Sequence, residues 1–343
     1  MIIGLTYDLK RDHVPMPGDP IDANAEFDHE ETVDIITSAF ESRGHKVISI
    51  GNVHNLLGQL ENLCVDIVFN ISEGLEGRNR EAQIPVILEM KRIPFVGSDG
   101  LTLSLTLDKV FTKKILLSEG IPTPKFVEVR DPHHIDIKDL NFPLIVKPVY
   151  EGSSKGINER SVVGDFDSLK SQVEWLISTY RQNALVEEFI KGQEFTVAIL
   201  GNGDSIEPLP VVQIKIDNKL KLGNRFYTFS HITSNTLDYI CPARITKHME
   251  SEILNAAIRT YRAVECRDFG RIDIRVDEEG RPYVLEINPL PSLSREDVFM
   301  VLANNLGVSY DEMLNRILNI GIERYGLNIK PKETYVMQGS GYI

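Results

Sequence analysis

The chain has 343 residues, 42% hydrophobic and 25% charged, the composition of an ordinary soluble protein large enough for two or three lobes. Its 37 basic and 50 acidic residues leave a formal charge of −13, which argues against a nucleic-acid partner and against attraction to an anionic membrane surface. No apolar run approaches the ~18 residues needed to span a bilayer, and three widely spaced cysteines, Cys64, Cys241 and Cys266, give neither a disulfide framework nor a zinc site.

Met1-Ile2-Ile3-Gly4-Leu5 is too short and uncharged for a signal peptide, so a reduced, cytoplasmic protein is expected. Ile2–Thr6 reads as the first strand, followed by a polar loop with Pro15, Pro17, Gly18 and Pro20. Asp28 with Glu31 has the spacing of a capping box, and the helix after it carries Val33, Ile36 and Phe40 on one face and stops at Gly44. Strands Lys46–Ile50 and Ile67–Asn70 and a helix over Ala82–Lys91 complete a β-α-β series, hence a parallel sheet whose strand ends Tyr7-Asp8 and Asn70–Gly74 are favoured for ligands. A helix is expected over Thr106–Glu119, a linker at Ile121–Pro124, a strand over Pro143–Lys147, another near Val162 and a helix around Leu169–Ile177. Strands Leu185–Phe189, Phe195–Leu200 and Val211–Lys215 follow, then helices Lys247–Val264 and Asp311–Ile320.

Gly270–Ile274 and Leu285–Asn288, joined by the turn Asp277–Gly280, read as a hairpin. Alternation sets Arg271 and Asp273, and likewise Glu286 and Asn288, on one face, with Ile272, Ile274, Leu285 and Ile287 on the other. Two carboxylates and an amide oxygen suit Mg²⁺ shared with substrate phosphates, the alternative being a solvated hairpin face. Lys147, at the end of a strand, runs into the Glu151-Gly152-Ser153-Ser154-Lys155-Gly156 loop, which offers an ammonium, hydroxyls and backbone N–H groups to phosphate without the spacing of a P-loop. Glu187, the backbone of Phe189 and Ile190, and Glu194 are candidates for adenine and ribose, whereas Lys109, Lys113 and Lys114 are surface charges by default.

The order of these segments is more specific than any one of them. From about residue 95 to 326 the chain resembles the ATP-grasp superfamily, and within it the D-alanine–D-alanine ligase branch, through Asp108-Lys109, Lys147-Pro148 with Gly152-Ser153-Ser154, Glu187-x-Phe189, Glu194-Phe195-Thr196, Gly270–Asp273 and Leu285–Pro289. The resemblance implies an ATP-grasp fold of α/β and α+β parts: a parallel-sheet lobe over residues 1–98, two lobes enclosing ATP over 99–182 and 183–330, and a tail over 331–343. It implies Lys109, Lys147 and Ser154 at the ATP phosphates, Glu187, Phe189, Ile190 and Leu285 around the adenine, and Glu194 at the ribose. It further implies two Mg²⁺ ions, with Mn²⁺ as a substitute, on Asp273, Glu286 and Asn288. Arg271, Lys147 and Ser153 would act at the reacting groups. The reaction so implied joins a small-molecule carboxylate to an amine through an acyl phosphate, in a homodimer. His231, as a phosphate contact, would make ATP use sensitive to pH near ~6.5.

The substrate half departs from the family. The early Gly-Gly-x-Ser-x-Glu-Arg motif is replaced by Thr6–Arg11, and the His-Gly-x-x-Gly-Glu-Asp-Gly signature aligns with Glu73–Arg80, placing Glu73 at the histidine and Arg78-Asn79 at the acidic pair. The serine expected at the second substrate's carboxylate aligns with Asp297, beside Arg295. Arg78 and Arg80 thus suggest a donor with an extra acid or without an α-ammonium, and an acceptor other than D-alanine. A genuine D-alanine–D-alanine or D-alanine–D-lactate ligase and a small-molecule kinase are the competing enzyme readings.

Overall fold

A computed structural model describes residues 1–137, 139–228 and 236–327. Three sheets carry the chain. β1 (Ile2–Thr6), β2 (Lys46–Gly51), β3 (Ile67–Asn70) and β4 (Phe95–Val96) form a parallel sheet in the order β2-β1-β3-β4. Its crossovers include α1 (Glu30–Ser42), α2 (Val53–Gln59) and α3 (Gln83–Lys91). Parallel strands need both faces covered. Here Ile36 and Phe40 of α1 pack with Ile3, Leu5 and Phe69, and the same core takes in Phe299 and Leu314 from far along the chain.

α4 (Gly100–Leu107) and α5 (Lys109–Ser118) replace the single helix expected over Thr106–Glu119. The break falls at Asp108, whose extended backbone (φ −84°, ψ 96°) lets its carboxylate accept the N–H groups of Val110 and Phe111 and cap α5. A second sheet, β5-β8-β6-β7, follows: β5 (Phe126–Val129), β6 (Leu144–Pro148), β7 (Val162–Val163) and β8 (Ala184–Glu188), backed by α6 (Phe166–Tyr180). The third contains β9 (Gln193–Leu200), β10 (Glu207–Pro208), β11 (Val212–Ile216), β12 (Leu237–Ile240), β13 (Phe269–Val276) and β14 (Pro282–Asn288). α7 (Lys247–Ala263) buries Ile253, Ala257 and Tyr261 against its apolar face.

α8 (Val298–Leu306) and α9 (Tyr310–Arg324) return to the first sheet, where Asp268 binds Arg324 and the Gly97 N–H. The capping box expected at Asp28 is not formed. His29 is the N-cap of α1 and gives it no side-chain bond, while Asp28 pairs its backbone with Asp8 and Lys10 and turns its carboxyl to the cleft between the sheets. No helix among the described residues is long and apolar enough to cross a membrane.

Candidate active site

A cleft of about 1140 Å³ lies where the three sheets meet. Its floor on one side is the β13–β14 hairpin. The register pairs Arg271 with Asn288 and Asp273 with Glu286, so the four polar side chains face the cleft as alternation requires. After Asp273 the register slips: Ile274 pairs with Val284, leaving Leu285 as an extra residue. This bulge corrects the expectation that Leu285 lies on the buried face. Val284 takes that place in the core, and Leu285 turns to the cleft. Asn288 Nδ2 donates to Asp273 Oδ2 at 3.1 Å, and Arg271 lies 3.3 Å from Asp273 and 3.2 Å from Asp297. The partner that offsets Asp297 is therefore Arg271, not the exposed Arg295 at the rim. Asp297 also caps α8 through the Val298 N–H.

Three lysines converge from the other walls. Lys109 Nζ lies 3.1 Å from Glu286 Oε2 and donates to Glu151 O, and its pKa rises although burial works to lower it, because Glu286 holds the charge. Lys147 Nζ contacts Glu187 Oε1. Lys113 proves to be fully buried rather than a surface charge, its Nζ 2.7 Å from both Glu187 Oε2 and Thr123 Oγ1. Burial lowers Lys113 to about 8, and the two lysines together keep Glu187 ionised against its own desolvation. Glu187 is thus seated on two cations deep under the expected adenine position. Glu194 pairs with Arg275 at 3.0 Å, and Arg275 stacks over the Phe189 ring at 4.7 Å. The Phe189 N–H is given to Pro143 O, and Phe189 and Ile190 both line the cleft.

The Gly152–Gly156 loop is held in an unusual way. Ser153 and Ser154 both adopt left-handed backbone (φ 45° and 55°), a conformation that turns successive N–H groups into one concavity. Glu26, from the loop before α1, accepts the Gly152 N–H at 2.5 Å and takes Lys155 at 3.2 Å, while Asp22 accepts the Gly156 N–H at 2.8 Å and the Tyr180 hydroxyl. Arg80 does not offer a cation to substrate. It is buried, bound to both oxygens of Glu26 at 2.7 and 2.9 Å and to Tyr150 O. Arg78 is exposed and spent on Asp108 at 2.7 Å. The donor with an extra acid that those two arginines suggested has no free guanidinium to meet it. Glu73, by contrast, lines the cleft. His231 lies outside the described residues.

Sequence patterning set Lys113 on the surface and missed Glu26, Asp22, Glu81 and Arg275. The last was readable, since alternation along β13 sets it on the face of Arg271 and Asp273. Glu26 and Asp22 sit in an aperiodic polar loop, and their contacts lie 126 and 134 residues away, so no local pattern marks them.

The donor chemistry fits a magnesium ion. Two carboxylates and an amide are directly opposed or adjacent on one ladder, and among the described residues no three His, Cys, Asp or Glu side chains gather into a complete metal cage. Mg²⁺ is the ion that accepts such a partial protein set and fills the remainder from phosphates and water.

The cleft between the sheets, lined by Lys109 and Lys147 and floored by the β13–β14 hairpin, has the ATP-grasp architecture. Solved structures bear this out: the D-alanine–D-alanine ligase of Bacillus anthracis complexed with ATP aligns with a TM-score of 0.73 at 22% identity, over 95% of this chain and 99% of that one. The VanG D-Ala:D-Ser ligase of Enterococcus faecalis aligns at 0.71. Residues 115–319 match the family described as D-ala D-ala ligase C-terminus. Over 302 residues the chain is 32% identical to a D-alanine–D-alanine ligase of Carboxydothermus hydrogenoformans, covering 85% of this chain and 93% of that protein. It is 34% identical to an uncharacterised protein, y4sG, of Sinorhizobium fredii over 85% and 88%. The chain belongs to the D-alanine–D-alanine ligase-like family of ATP-grasp enzymes, ATP-dependent ligases that form a carbon–nitrogen bond.

Proposed function

We propose that this enzyme joins amino-acid-like substrates other than two D-alanines, with Mg-ATP, through an acyl phosphate. The observation that carries the reading is the convergence of Lys109, Lys147, Asp273, Glu286 and Asn288 on one cleft whose substrate side carries Glu73 and Asp297. Lys109 and Lys147, each resting on a carboxylate, would move to the phosphates, and the Ser153-Ser154 turn would cover them. Asp273, Glu286 and Asn288 would hold two Mg²⁺ ions, replaceable by Mn²⁺. Bound there, the metal neutralises charge on the transferring phosphoryl oxygens.

A substrate carboxylate oxygen attacks the γ-phosphorus and ADP leaves. The amine nitrogen of the second substrate then attacks the acyl carbon, phosphate departs, and the nitrogen loses a proton. Arg271, fixed by Asp273 and Asp297, would stabilise the oxyanion of that addition. No protein nucleophile is required. We further assign residues 1–98, 99–182 and 183–330 as three lobes, a homodimer as the assembly and the cytoplasm as the location. ADP and phosphate release across a panel of acids and amines tests the reading. Turnover with D-alanine alone at the level of the best pair would return the chain to D-alanine–D-alanine ligation, and phosphate retained on a product would make it a kinase.

A further inference from the structure

The cleft wall formed by the first sheet is acidic, and Asp28 on it accepts a hydrogen bond from Thr32. Glu73, Glu81 and Asp28 line it. Glu81 is only 9% exposed, yet among the described residues neither it nor Glu73 has a hydrogen bond or ion pair. The cations nearby have other partners: Arg80 on Glu26, Glu151 and Tyr150 O, Lys155 on Glu26 and Glu151, Lys109 on Glu286 and Glu151 O, and Lys10 on the His29 ring at 3.4 Å. Burial, then repulsion from Glu81 and Glu26, pushes Glu73 well above the carboxylate range, and burial lifts Glu81 and Asp28 each to about 7.

The wall is built, not incidental. Asp8 accepts both the Ser72 hydroxyl and, at 2.9 Å, the Gly74 N–H, fixing the backbone on either side of Glu73. Gly74 itself has φ +76°, and a Cβ there would come within 2.4 Å of Arg80 O, so the turn bearing Glu73 is pressed against the turn bearing Glu81. A buried carboxylate without a partner costs several kcal/mol, which an arriving cation would offset. That cation is not the Mg²⁺ of the candidate metal site, whose ligands Asp273, Glu286 and Asn288 stand on the β13–β14 hairpin. It is not the nucleotide either, whose lysines and hairpin stand on other walls.

We propose that Glu73, Glu81 and Asp28 receive a cationic group of the amino-acid substrate, so that the enzyme ligates a dibasic molecule carrying a second ammonium or a guanidinium. The inference rests on the ligase reading and narrows its substrate class. One carboxylate suffices for one ammonium; three on a single wall suit a substrate with more positive charge than alanine brings.

The test is ADP release with Mg-ATP and ornithine, lysine or arginine of either hand, or 1,4-diaminobutane, singly and in pairs, against D- and L-alanine. The expected result is a kcat/KM at least tenfold higher for a dibasic substrate, with that ratio falling tenfold or more in Glu81→Gln and Asp28→Asn, chiefly through KM. A preference for neutral amino acids, or a ratio untouched in both variants, overturns the proposal while leaving the ligase reading intact. If no pair releases ADP, the ligase reading fails separately. Calorimetry of ornithine and lysine against alanine in the presence of Mg-ADP then decides: dibasic binding weakened by Glu81→Gln supports the acidic wall, and equal affinities for ornithine and alanine refute it. Because the wild-type preference is read first, a variant that fails to fold does not remove the test.

Discussion

The carboxylate of Glu26 accepts the N–H of Gly152 across 126 residues of chain, and in doing so fastens the loop before α1 to the serine loop of the second sheet. Arg80 and Lys155 bind the same carboxylate, and these charges hold Glu26 down at about 2 although burial works to raise it. The loop before α1, the turn bearing Arg80 and the Gly152–Gly156 loop are therefore one electrostatic unit.

Glu26→Gln should leave Arg80 and Lys155 under-compensated and destabilise the protein by roughly 3–5 kcal/mol, the usual consequence of removing one member of a buried ion pair. The KM for ATP should rise as the loop loosens. Since the folded pKa lies below the unfolded value of 4.5, the stabilisation is present above about pH 4.5 and lost as the pH falls toward 2. Urea denaturation of both proteins at pH 6 and pH 3 checks this. A stability gap that does not shrink in acid would sink the assignment.

Glu286→Gln keeps the shape of the hairpin but removes the carboxylate opposite Asp273 and the partner of Lys109. Turnover should fall by at least ~10²–10³-fold, the scale of losing one preorganised charge at a phosphoryl-transfer site. The melting curve should stay cooperative. A variant with unchanged ADP release would show that the metal ligands lie elsewhere.

The hairpin was legible because period-2 alternation and a tight turn are local rules, and they place Asp273 and Glu286 without knowledge of the fold. Lys109, Lys147, Glu187 and Glu194 stood out by their order along the chain, and one cleft gathers them. The partners of Arg78 and Arg80 did not stand out. Arg78 and Arg80 read as cations for a ligand because their types were visible while their partners, Asp108 and Glu26, were not. Lys113 read as surface because its partners Glu187 and Thr123 lie on other segments, and the break at Asp108 that begins α5 depends on a cap rather than on propensity.

Lys113 also makes stability depend on pH at the alkaline end. Held near 8 by burial, against 10.5 when unfolded, it binds its proton less tightly in the folded state. Between those values the unfolded chain carries the extra proton, so this group makes stability rise with pH, by up to about 3 kcal/mol. Lys113→Met should lose that rise. Guanidinium unfolding at pH 7.5 and 9.5 measures it, and parallel slopes for the two proteins would refute the shift.

Asp108→Ala tests the break itself. The substitution removes the acceptor for the Val110 and Phe111 N–H groups and the partner of Arg78, and the cap alone is worth ~1–2 kcal/mol. Its effect should not stop at stability. Lys109 is the first residue of α5, its N–H bound to Val149 O and its ammonium reaching Glu286. If the cap is lost, α4 and α5 can run together and turn Lys109 away from the cleft. The expected outcome is a KM for ATP raised tenfold or more, with Asp108→Asn, which still caps, close to wild type. Equal KM values in all three proteins would mean that Lys109 is positioned by its own contacts and that the break serves folding alone.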